Sequence, residues 1–194
     1  LYTPEAYECM KRLEFKSIAA RFGEGIRNEG GPEKQFVLVE DFSEADALFE
    51  KAKKEDHIGM ELLAENGSVT ALALSFEETG SYIFLVGGFM TESYIAGKYE
   101  ELCRTGHAWV LDLKHSLPFA KLSYGDTVYD AGVAAYLLNP LKDTYGYDDI
   151  ARDVLGMTVP SKTDLIKKMS YKDACAKEQD NFTRMAGLMA YTAF

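Results

Sequence analysis

Residues 57–88 constrain the fold more than any other stretch of this chain. Three runs, HIGMELLAE (57–65), SVTALALSFEE (68–78) and SYIFLVGG (81–88), are rich in β-branched, aromatic and aliphatic residues. Asn66-Gly67 separates the first pair and Thr79-Gly80 the second. Asn-Gly supplies two residues that tolerate positive φ, which a two-residue hairpin loop requires. The stretch therefore reads as a three-stranded antiparallel meander. Its apolar residues must be covered by other elements of the chain.

Those elements can be placed from spacing and capping. QFVLVED (35–41) reads as a strand ahead of the meander. Ser43, with Asp46 three residues on, reads as a capping box before Leu48, Phe49 and Ala52. Thr91 caps a helix that carries Ile95, Tyr99 and Leu102 on one face, with Gly106 past its end. HAWVLDL (107–113) is a strand expected to run parallel to the first meander strand. A short helix and a short strand near 127–129 lead to DAGVAAYLLNP (130–140). There Asp130 reads as a helix cap, Val133, Ala134, Leu137 and Leu138 as the inward face, and Pro140 as the stop. Asp148–Leu155 forms a further helix. Ser161 with Asp164, and Ser170 with Asp173, open two more before a long final one. The expected class is α/β, with a mixed sheet of three antiparallel strands plus parallel strands flanked by helices. That is the layout of the ribonuclease-H-like fold.

Upstream, Thr3-Pro4-Glu5 begins a helix that runs to Phe22, and GEGIRNEGGP (23–32) reads as a linker. Residues 1–22 are thus a helical appendage, 23–33 a linker and 34–194 the main domain. The size, 194 residues with 47% hydrophobic content, suits that arrangement. No apolar run approaches the length of a membrane span, and LYTPEAYECMKRLEF lacks a basic-then-apolar leader. A cytoplasmic monomer is expected. Cys9, Cys103 and Cys175 are far apart, and His57, His107 and His115 lack zinc-ligand spacing. The net charge of −10 argues against tight nucleic-acid binding by this chain alone, because phosphate contacts need a basic surface.

At DAGVAAYLLNP the chain resembles a known family. The stretch is similar to the F-D-T-x-L-A-A-Y-L-L-N-P motif in the 3′-5′ exonuclease domain of bacterial DNA polymerase I (family A). YDDIARDVLGMTVPS (147–161) resembles the l-d-d-L-A-x-x-y-L-G segment of the same domain. AYECMKRLEFKSIAARF (6–22) resembles the end of the preceding 5′-nuclease domain. The likeness is strongest over 5–22 and 127–160. It implies a piece of a DNA-directed DNA polymerase, acting in replication and repair, whose polymerase domain uses magnesium. It also implies same-chain partners, the polymerase and 5′-nuclease domains, with DNA held through the full-length protein.

In active members of this family four acidic residues hold two divalent metals roughly 4 Å apart, which activate a water. Carried over position by position, the set is depleted here. The Asp-x-Glu motif falls on Gly59-Met60-Glu61, so the Asp is lost. The Asn-x-x-x-Asp motif falls on Asp112 and Ser116. The Tyr-x-x-x-Asp motif falls on Met185 and Met189, and thioether sulfur is a poor magnesium ligand. Glu61 is then expected as an edge or strand-end carboxylate facing water, and Asp112 as a helix cap or solvated side chain. Asp130 matches a residue that opens the helix in active relatives and does not bind metal. The resemblance therefore implies a vestigial proofreading domain with no catalytic residues, no metal and no cofactor of its own, serving as a structural platform. Two alternatives stay open: a residual metal-dependent nuclease using Glu61 and Asp112, and a module that holds single-stranded 3′ ends without cutting.

Overall fold

The computed structural model of the chain describes residues 35–123 and 125–194. The helical appendage and linker expected within residues 1–33 lie outside the described residues. Six strands form one sheet: β1 (Gln35–Val39), β2 (Ile58–Glu65), β3 (Ser68–Glu77), β4 (Gly80–Leu85), β5 (Ala108–Val110) and β6 (Val128–Asp130), in the order β1-β4-β3-β2-β5-β6. The meander is antiparallel, β2 to β3 to β4. Asn66 and Gly67 take φ of 52° and 81°, the pair of left-handed residues that the tight turn demanded. β5 runs parallel to β2, as the sequence suggested, and β6 parallel to β5. β1 pairs parallel with β4 at the far edge. The strand from 107 to 113 shortens to Ala108–Val110, because Asp112 turns the chain into a helix.

Eight helices among the described residues complete the domain: α1 (Phe42–Ala52), α2 (Glu92–Cys103), α3 (Leu113–Ser116), α4 (Ala131–Leu138), α5 (Tyr147–Val154), α6 (Lys162–Ile166), α7 (Tyr171–Lys177) and α8 (Gln179–Ala193). Strand alternation divides the core. Met60, Leu62 and Ala64 of β2 face one layer, with Phe49 of α1 and Ile95, Tyr99 and Leu102 of α2. Leu63, Ala71, Ala73 and Ile83 face the other, with Ile150, Ile166, Ala174, Phe182 and Met185 from α5 to α8. Both faces of β2 and β3 are covered, which explains their nearly continuous apolar character.

The caps at Thr91, Ser161 and Ser170 form as their side chains suggested, and Ser161 and Asp164 make a complete capping box. α1 departs from expectation. Its cap is Asp41, whose carboxylate accepts from Glu44 N–H at 2.8 Å, rather than Ser43. Asp46 turns away to accept from Lys98 Nζ at 2.6 Å. α4 departs further. Val133, Leu137 and Leu138 point to solvent rather than inward, and none of its residues is fully buried. Its inner face is the small one, Ala131 and Ala135, which seat against the second core layer. The helix lies close enough that Gly132 N–H reaches Leu111 C=O at 3.2 Å, leaving room for methyl groups and none for leucines.

Candidate functional site

Gly59, Glu61, Met185 and Met189 lie on the side of the sheet that α8 covers, Asp112 follows β5, and Ser116 lies on the α2 side. Glu61 lies in the middle of β2, paired with Ala73 of β3. Contrary to expectation it does not face water: it is 5% exposed. Strand periodicity puts it on the α8 face together with Gly59 and Leu63. Its Oε2 accepts from Leu111 N–H at 3.3 Å. Burial pushes its carboxyl up to about 8, and the negative charges of Asp112 and Asp130 add to that rise. At neutral pH the group is therefore largely an uncharged acid, the form that a buried lone carboxyl adopts most cheaply.

Asp112 and Asp130 are engaged with backbone. Asp112 caps α3, its Oδ1 accepting from His115 N–H at 3.0 Å. Asp130 accepts twice. Its Oδ1 takes Val133 N–H at 2.8 Å, capping α4, and its Oδ2 takes Leu113 N–H at 2.9 Å, tying α3 to α4. Replacing Asp130 with alanine removes both bonds. The expected cost is about 2 kcal/mol, read as a lower urea midpoint, with Asp130→Asn recovering part of it.

Ser116 is buried and points at α2. Tyr99 O–H donates to Ser116 Oγ at 2.7 Å, and Ser116 Oγ donates onward to Leu113 C=O at 2.9 Å. Met185 is fully buried in the second core layer, while Met189 is half-buried against it. Gly59 sits directly under the C-terminal turn of α8. A Cβ at Gly59 would lie 2.2 Å from Phe194 N and 2.3 Å from Ala190 O. A second glycine brings the middle of the helix down. At Gly187 a Cβ would meet the Phe36 ring at 2.2 Å, and Ser81 O–H donates to Gly187 C=O at 2.9 Å. Backbone thus occupies the volume beside Glu61 where a residue-59 side chain would project.

Among the described residues, no group of three or more His, Cys, Asp or Glu side chains is arranged to hold a metal ion. Sequence reasoning missed Leu111 N–H and Tyr99 as the partners of Glu61 and Ser116. Both contacts join residues far apart in the chain, and no local pattern marks them. The small residue at 59 was the available clue to the approach of α8.

No family model matches the chain, and no curated protein matches it. Solved structures do. The fold is similar to the EXO domain of Nibbler from Aedes aegypti, with TM-score 0.54 and 11% identity over 80% of this chain and 84% of that one. It is also similar to part of the POL domain of Pol1 from M. smegmatis, solved in complex with DNA primer-template and dNTP, with TM-score 0.51 and 15% identity. That match covers 76% of this chain and 27% of the polymerase chain. The mixed six-stranded sheet and these neighbours define a ribonuclease-H-like exonuclease fold. No helix among the described residues is long and apolar enough to cross a membrane.

Proposed function

We propose that this is a catalytically silent 3′-5′ exonuclease domain of the bacterial DNA polymerase I type. The observation that carries the reading is the closure of α8 over Gly59. Where a first metal-binding carboxylate would project, the backbone at Ala190 and Phe194 stands about a bond length and a half away. The remaining motif positions do not fit a pair of divalent cations. Magnesium needs several charged or polar oxygens in near-octahedral array. Glu61 favours its neutral form, Ser116 is bonded to Tyr99 and Leu113, and Met185 is packed in the core. Asp112 and Asp130 spend carboxylate oxygens on backbone amides.

Under this reading the domain is a structural platform within a longer, cytoplasmic, monomeric DNA polymerase. Its partners are the polymerase and 5′-nuclease domains of the same chain, and DNA and magnesium are used there. The motif likeness at 127–160 and the two exonuclease-fold and polymerase neighbours support that context. A surviving nuclease built on Glu61 and Asp112 is disfavoured, since each acid already accepts from a main-chain amide. A single-strand binder could use the stacked Trp109 and Tyr129 rings, 4.7 Å apart, but the net charge of −10 opposes it.

The test is an incubation with a 5′-labelled single strand in magnesium or manganese. No shortening from the 3′ end above the buffer control is expected. Shortening that Glu61→Gln abolishes would overturn the reading.

A further inference from the structure

The helix expected in the core forms instead the centre of an apolar face. Leu137 and Leu138 of α4 are 73% and 79% exposed, and Leu141 just beyond is 92% exposed. Val154 and Leu155, at the end of α5, are exposed as well. The segments are bound together into one surface. Tyr145 O–H donates to Asn139 C=O at 2.6 Å, the Tyr136 and Tyr145 rings meet edge to face, and Lys142 pairs with Asp153. A contiguous apolar patch of this kind marks an interaction surface. α4 is also eight residues long and carries no charge, a poor helix in water unless its outer face is covered.

Charge decides what covers it. Residues 142–153 hold Asp143, Asp148, Asp149 and Asp153 against Lys142 and Arg152; Asp149 is buried, so three acids face two bases at the surface. Both bases are already held, Lys142 by Asp153 and Arg152 by Asp149 at 2.8 Å and Asp153 at 3.0 Å. The C-terminal turn of α4 adds carbonyl dipoles with no basic residue to balance them. An anionic membrane would be repelled by this rim. A second copy would bring the same acidic excess to the contact.

We infer that the α4–α5 face docks a protein partner that presents an apolar ridge flanked by lysine or arginine. None of the degenerate motif positions belongs to this face. Two labelled helical peptides of equal length test it by fluorescence anisotropy on the full chain. Both carry a leucine ridge; one is flanked by lysine, the other by glutamate. The lysine peptide is expected to bind at least about tenfold more tightly than the glutamate peptide. Leu138→Ser combined with Leu141→Ser, which leaves charge unchanged, is expected to weaken that binding about tenfold. Both leucines are exposed, so the variant keeps its melting temperature. Several results would overturn the proposal. They are no binding of the lysine peptide, equal binding of the glutamate peptide, or indifference to the two substitutions. Binding to phosphatidylglycerol vesicles, or a dimer in sedimentation that the same substitutions break, would also overturn it.

Discussion

Gly59→Ala is expected to lower the melting temperature by roughly 10 °C, the equivalent of about 3 kcal/mol or more for a domain of this size. The cause is not a left-handed backbone but a lack of space. The added methyl would stand 2.2 Å from Phe194 N and 2.3 Å from Ala190 O, and both are main-chain atoms of α8 and its end. Main chain cannot swing aside as a flexible side chain does. Relief therefore requires the helix to lift from β2, loosening Ala190 and Ala193, which pack in the second core layer. Gly59→Asp should be worse still, because it forces a second carboxyl against the buried Glu61. Placing an acid at position 59 is thus expected to damage the fold without creating a nuclease. Scanning fluorimetry of the two variants checks this. A Gly59→Ala protein that melts within a degree or two of the parent would mean that α8 does not close over β2.

Glu61→Gln should have the opposite sign, and its size should depend on pH. The carboxyl titrates at about 8 in the folded chain against an ordinary value of 4.5, so the folded state holds the proton more tightly than the unfolded state. The stability this confers is complete below about 4.5 and is lost as the pH rises through 8. Glutamine keeps an oxygen to accept from Leu111 N–H and cannot ionise. The variant and parent should melt together near pH 4.5. At pH 8.5 the variant should be more stable by roughly 4–5 kcal/mol, a rise on the order of 10–15 °C in melting temperature. Parallel melting curves across that range would show that Glu61 is ionised and solvated after all.

Much of the fold was legible because it is set locally. Asn66-Gly67 placed the hairpin, and Thr91, Ser161 and Ser170 placed three helix starts within a residue. The parallel pairing of β5 with β2 followed from the helix between them. What failed depended on neighbours distant in sequence. Glu61 was expected to face water as an edge or strand-end carboxylate. It faces in because α8, more than a hundred residues later, covers that side of the sheet. The leucines of α4 were assigned to the core because apolar residues usually lie there. The helix instead seats on its alanines, since Gly132 brings its backbone against Leu111. For the candidate site, the motif positions came only from the family resemblance, and no local pattern revealed that Asp130 ties α3 to α4 or that Tyr99 holds Ser116.

The central claim of the proposed function is that this fold holds no pair of divalent metals. Calorimetric titration of the chain with magnesium, then manganese, addresses it most directly. No saturable heat at millimolar metal is predicted, for the parent and for Glu61→Gln alike. Saturable binding that disappears in Glu61→Gln would contradict the claim and place a working metal site beside β2.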